Sequence, residues 1–247
     1  MEKNQIIVKN DYNSISVKTA LIIADHINNN PDSLLCLAAG STPLGVYVEL
    51  VKMQSEGSVN LSNVYYAGLD EWVGLGKSDR GSCYQVMFDH FYNPAGIPHS
   101  RIHMFNGLGG MIDECDKMNK WLAARGNIAL TLLGVGMNGH VGFNEPNAQE
   151  ADGAILTSLD EVTKTVSKKY FGKDLPVTMG FTLSLSVLQK AGKILVLASG
   201  SSKAQIIKKA FFDAKTPDIP ASLLQDTPGL ILLLDKEAAN LITQEKF

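Results

Sequence analysis

Little in this chain is concentrated enough to mark a specialised class. Cysteine is scarce: Cys36, Cys83 and Cys115 make an odd count without metal-ligand spacing, which fits a reducing cytosol rather than a disulfide framework. Basic residues do not cluster beyond the pairs Lys168-Lys169 and Lys208-Lys209, and the net charge is −3, so no nucleic-acid footprint is present. No apolar run is long enough to span a bilayer, and the opening Met-Glu-Lys-Asn-Gln lacks the hydrophobic region of a signal peptide. Three motifs are also absent: the His-Glu-x-x-His zinc helix, the Gly-x-Ser-x-Gly nucleophile elbow and the nucleotide P-loop. These absences predict a cytoplasmic protein with no membrane or nucleic-acid partner.

What is present is an ordinary soluble composition, 45% hydrophobic and 19% charged, over 247 residues. Apolar strand candidates fall near 34–39, 64–69, 129–133, 193–198 and 230–234, and helical patterns near 13–28, 43–54, 82–91, 111–125, 182–190 and 202–213. Strands apolar on both faces and separated by helices predict an α/β fold, a mostly parallel sheet covered on both sides. No linker, repeat or composition break divides the chain, so residues 1–247 read as one domain.

The polar chemistry collects where those strands end. After 34–39 comes Gly40-Ser41-Thr42-Pro43, a strand-to-helix turn with Thr42 as the expected N-cap and Pro43 at the first helical position. Such a helix start favours an anion, phosphate above all. Ser199-Gly200-Ser201-Ser202-Lys203 repeats the arrangement and adds a cation, so the two loops predict a phosphate pocket, with Lys169 as a further candidate cation. After 64–69 come Asp70 and Glu71. A carboxylate at a crevice mouth can abstract a proton beside a carbonyl, and Asp70 is the candidate base, with Glu71 read as structural. The richest segment runs from Gly134 to Pro146 and holds four glycines, Asn138, His140 and Glu145. Metal binding is disfavoured there, because no second His or Cys lies at ligand spacing. Proton transfer by His140, oriented by Glu145 and positioned by Asn138, fits better. Open α/β sheets bind ligands outside the carboxyl ends of their strands, so the four loaded ends predict one composite site.

These pieces resemble the amino-sugar-phosphate deaminase/isomerase family. The matching segments are Ala39–Pro43, Leu69-Asp70-Glu71-Trp72-Val73-Gly74-Leu75, Gly134–Pro146 with its Gly-His-x-x-Phe-Asn-Glu-Pro ending, and Gly200-Ser201-Ser202-Lys203. The resemblance implies a Rossmann-like fold, a sugar-phosphate substrate, and conversion of a 2-amino-2-deoxyhexose 6-phosphate to a ketose 6-phosphate with release of ammonia. It implies Asp70 as the base moving a proton between C2 and C1, and His140 with Glu145 as the ring-opening pair. It also implies a phosphate site of Gly40, Ser41, Thr42, Lys203 and Lys169, and no metal or redox cofactor. Asn138 stands where glucosamine-6-phosphate deaminases usually carry Asp. Leu-Asp-Glu-Trp, Pro176–Gly180 and Ile219–Ser222 point the same way, toward the galactosamine-6-phosphate branch. Galactosamine 6-phosphate is therefore the expected substrate and glucosamine 6-phosphate the alternative. A 6-phosphogluconolactonase and a non-catalytic sugar-phosphate sensor are weaker rivals. A homo-oligomer is left open.

Overall fold

The computed structural model describes residues 5–148, 150–171 and 175–242, with 168–170 described by backbone alone. Its main sheet has seven strands, all parallel: β1 (Gln5–Lys9), β2 (Leu34–Leu37), β3 (Tyr65–Gly68), β5 (Ile102–His103), β6 (Leu130–Leu133), β9 (Ile194–Ala198) and β10 (Leu230–Asp235). Every residue of β2, β6, β9 and β10 is buried, which is why these four read as continuous apolar runs. The period-two alternation then divides them between two cores. Leu35, Leu37, Leu130, Leu132, Leu195 and Leu197 face helices α1 (Tyr12–Asn29) and α2 (Leu44–Ser55). Leu34, Cys36, Leu133, Ile194 and Val196 face the opposite layer, which includes α4 (Met111–Ala123) and α7 (Ser201–Phe211).

The strand order is β1-β10-β9-β6-β2-β3-β5. The chain winds outward from β2 through β3 to β5, then returns to β6 on the other side of β2. The order therefore reverses between β2 and β6, and a crevice opens beyond their carboxyl ends. The fold is the α/β, Rossmann-like parallel sheet the sequence predicts.

A second sheet was not anticipated. Asp70–Trp72, read as a loop, is strand β4, paired antiparallel with β8 (Met179–Leu183), which also pairs with β7 (Ala154–Ser158). The expected helix over 182–190 is corrected: β8 runs to Leu183, and α6 (Leu185–Gln189) starts after Ser184, whose side chain caps Val187 N–H. The helical pattern at 82–91 is a short α3 (Cys83–Met87) that continues as a wider turn over Phe88–Tyr92. Residues 160–171, unassigned by the sequence, hold α5 (Glu161–Phe171). The first strand is β1, well before residue 34, as an edge strand with little buried surface.

Candidate active site

The pocket at the switch point is lined by Gly40, Ser41 and Thr42 after β2, Asp70 and Trp72 from β4, Gly134 to Met137 and His140 after β6, Val162, Thr163 and Val166 from α5, and Lys203 from α7. Of the nine site residues the sequence singles out, six line it directly. Asn138 and Glu145 stand behind His140, and the side chain of Lys169 lies outside the described residues.

The two helix starts differ from expectation. Gly40 takes φ +109°, a left-handed conformation that suits glycine and turns the chain sharply out of β2. Thr42 does not cap α2: the residue before the helix is Pro43, already helical, and no side chain caps it. Instead Tyr12 reaches across from α1, its hydroxyl accepting from Gly45 N–H (2.8 Å) and donating to Thr42 O (3.0 Å). The Leu44 N–H is taken by Ser41 O. Residues 40–42 line the pocket, and their N–H groups have no acceptor among the described residues.

At α7 the reverse holds. Asp235 accepts Gly200 N–H and the Ser199 hydroxyl, and Glu237 accepts Ser201 N–H at 3.2 Å. Those carboxylates take the Gly200 and Ser201 N–H groups, and none of Ser199–Ser202 lines the pocket, so the loop does not face it as the second phosphate loop the sequence suggests. Lys203 alone reaches the pocket, its Nζ donating to Val135 O at 2.7 Å, and burial lowers its pKa.

Asp70 and Glu71 are neighbours in β4 and point opposite ways, as strand residues must. Glu71 is 1% exposed and accepts three backbone N–H groups, from Trp72, Cys83 and Tyr84. It clamps the start of α3 to β4 and is structural. Asp70 faces the pocket. Burial raises its pKa to about 6, while a hydrogen bond from the Cys83 thiol and the charge of His140 pull it back down. A carboxylate in that range ionises near neutrality and is still basic enough to take a carbon-bound proton.

The 134–146 loop closes on itself through Gly136 N–H to His140 O (2.9 Å) and Gly139 N–H to Gly136 O (3.0 Å). A β-carbon at Gly136 would lie 2.4 Å from the His140 ring, so the imidazole occupies the space that this glycine leaves. His140 Nδ1 lies 3.0 Å from Thr163 Oγ1 and 3.4 Å from Glu145 Oε2. Glu145 is 4% exposed. Burial pushes its pKa up, but hydrogen bonds from His140, Thr163 and Asn138 outweigh that and hold it below the ordinary value. Asn138 accepts His140 N–H at 3.2 Å and donates to Glu145 Oε2 at 3.0 Å. Asn144 is a tie rather than a ligand: its amide donates to Val141 O and Leu183 O and accepts Leu185 N–H, fastening the loop to β8 and α6. Among the described residues, no group of three His, Cys, Asp or Glu is arranged to hold a metal ion.

Sequence reasoning missed Thr163 and Asp160. They lie more than twenty positions from their partners Asn138 and His140, and neither sits in a recognisable motif. The available signal was modest: an Asp directly before a helix is an N-cap pattern.

Comparison with known proteins identifies the family. Residues 12–232 match the model for glucosamine-6-phosphate isomerases/6-phosphogluconolactonase. A glucosamine-6-phosphate deaminase of Alkaliphilus oremlandii is 37% identical over 237 residues, 95% of this chain and 98% of its own. Another, from Thermoanaerobacter pseudethanolicus, is 36% identical over 98% of this chain and 96% of its own. The solved structure of a monomeric glucosamine-6-phosphate deaminase superposes with TM-score 0.92 at 31% identity, over 96% of this chain and all of that one. The 6-phosphogluconolactonase of Trypanosoma brucei, at 21% identity and TM-score 0.80 over 98% of this chain and all of its own, shares the fold. The chain thus belongs to the family of glucosamine-6-phosphate isomerases and 6-phosphogluconolactonases.

Proposed function

We propose that this protein converts an amino-sugar 6-phosphate and water to the ketose 6-phosphate and ammonia, with glucosamine 6-phosphate as the substrate. The observation that carries the reaction class is the pairing, across one pocket, of a carboxylate with a raised pKa (Asp70) and an imidazole held by a buried carboxylate (His140 with Glu145). Ring opening needs a group that exchanges a proton with the ring oxygen, and His140 supplies it. Aldose–ketose isomerisation needs a second group that removes the C2 proton and returns it to C1, and Asp70 supplies that. The resulting C2 imine takes up water and expels ammonia, so atoms and charge balance without a redox step.

The phosphate end falls to the N–H groups of Gly40, Ser41 and Thr42 together with Lys203. They supply directed donors and one cation at the switch-point crevice. The choice of glucosamine follows the relatives and the 31%-identical structure, which are glucosamine-6-phosphate deaminases, against the galactosamine expectation drawn from Asn138. One observation keeps galactosamine 6-phosphate as a second reading: residue 138 is an amide placed beside the His140–Glu145 pair, as that branch resemblance requires. Supplying each sugar separately and measuring ammonia and ketose phosphate tests both. Faster turnover of glucosamine 6-phosphate supports the main reading, and faster turnover of galactosamine 6-phosphate replaces it with the second. Hydrolysis of 6-phosphogluconolactone without ammonia from either sugar would overturn both.

A further inference from the structure

Asn138 does not end its contacts at Glu145. The same Nδ2 donates to Asp160 Oδ1 at 3.1 Å, while Asn138 Oδ1 accepts His140 N–H. The amide orientation is forced, because a flipped group would aim its oxygen at two carboxylates and its hydrogens at an N–H. One neutral amide thus joins two carboxylates, Glu145 and Asp160, with both of its hydrogens used. Asp160 in turn is fixed to the start of α5, where Oδ1 accepts Val162 N–H (2.9 Å) and its carbonyl accepts Lys164 N–H (2.9 Å). The neighbouring Glu161 is turned away, exposed and paired with Lys164. An aspartate at 138 would have no hydrogen to give and would meet two other carboxylates at about 3 Å, where like charges strongly disfavour simultaneous ionisation.

We infer that Asp160 is a positioning residue for the His140–Glu145 pair, holding Asn138 in the one orientation that braces both the backbone of His140 and the carboxylate behind its ring. The charge that an aspartate at 138 would carry is displaced onto α5. The first turn of that helix then acts on the imidazole twice, through Asp160 by way of Asn138 and through Thr163 at Nδ1.

This inference rests on the proposed deamination only for its kinetic consequences, so its test has two arms. Four proteins are compared: wild type, Asn138→Asp, Asp160→Asn and the double variant. Asn at 160 keeps an acceptor for Val162 N–H, so the helix start survives. With the preferred amino-sugar phosphate, Asp160→Asn should lower kcat by roughly 3- to 30-fold, with KM changed by less than about twofold. Asn138→Asp should lose about 100-fold in kcat at pH 7.5, and the double variant should recover at least about tenfold of that, a non-additive result. The second arm needs no substrate. Asn138→Asp should melt several degrees below wild type at pH 7.5, with most of the loss regained in the double variant. Unchanged kcat in Asp160→Asn, or singles that simply add in both arms, overturns the inference. Should Asn138→Asp fail to fold, Asp160→Asn decides through its kcat against KM. Coupled stabilities in a protein that releases no ammonia would support the Asp160 link while overturning the functional reading.

Discussion

At the scale of single residues, the proposed role of Asp70 and the stability of the fold pull in opposite directions. Its native carboxyl holds a proton up to about pH 6, against an ordinary value of 3.8, chiefly because it is buried. A raised carboxylate pKa means the native state binds the proton more tightly than the unfolded chain does. Stability is therefore lost as pH rises from about 3.8 to about 6 and stays lower above that. Asp70→Asn removes the charge and keeps the shape. It should melt higher than wild type at pH 7.5, by the equivalent of roughly 3 kcal/mol, with the gap closing near pH 4. It should also lose about 1,000-fold or more in deamination. Thermal melts at the two pH values and an ammonia assay check this; a variant that stays active removes Asp70 as base. In wild type, kcat/KM should rise with pH through about 6 as the base ionises.

Gly136 makes a companion case, since a methyl group there collides with the His140 ring. Gly136→Ala should cut kcat by about 10-fold or more while KM changes less, read by steady-state kinetics. Asp70, His140 and Glu145 were legible in the sequence because each follows a strand end and its chemistry is local. Asp160 and Thr163 were not, because their contacts to the loop cross 22 and 23 residues of chain.

At the scale of elements, α5 forms one wall of the pocket and is held by aromatic packing rather than by the main sheet. Phe171 meets Trp72 edge-on at 5.3 Å, and Trp72 meets Phe143 at 4.4 Å, joining α5, β4 and the His140 loop in one cluster. Phe171→Ala removes the buried ring, so it should cost about 3–5 kcal/mol in urea unfolding. It should also lower activity, since Thr163 and Asp160 ride on the same helix; wild-type stability would show that the cluster does not anchor α5. Five of the seven main strands were readable to within a residue or two, because burial leaves an unbroken apolar run; β1 and β5, half-exposed at the two edges of the sheet, were not. The second sheet was not: β4 is three residues long and carries two acids, and β7 is mostly half-exposed. Their pairing depends on β8, more than a hundred residues after β4. The reading of 182–190 as one helix failed for a related reason. The apolar pattern runs unbroken from β8 into α6, and only the Ser184 cap separates them.

At the scale of the whole molecule, topology does the gathering. Winding outward from β2 and back through β6 opens the crevice where the Gly40 loop, the His140 loop and Lys203 converge, and the small sheet sets Asp70 against them. Lys203 lies more than 160 residues from Gly40 in sequence, yet both line the same pocket. Lys203→Gln should therefore raise KM for the sugar phosphate by about 10- to 100-fold, with a smaller effect on kcat. Equal losses in both parameters would place Lys203 in the chemical step instead.

The most direct measurement of the central claim is turnover of glucosamine 6-phosphate in deuterated water, following ammonia and the labelled ketose phosphate together. The account predicts ammonia and ketose phosphate in equal amounts from wild type, with solvent deuterium at C1 from return of the exchanged proton, and neither product from Asp70→Asn. Ammonia release undiminished in Asp70→Asn, or no ammonia from either amino-sugar phosphate, would contradict it.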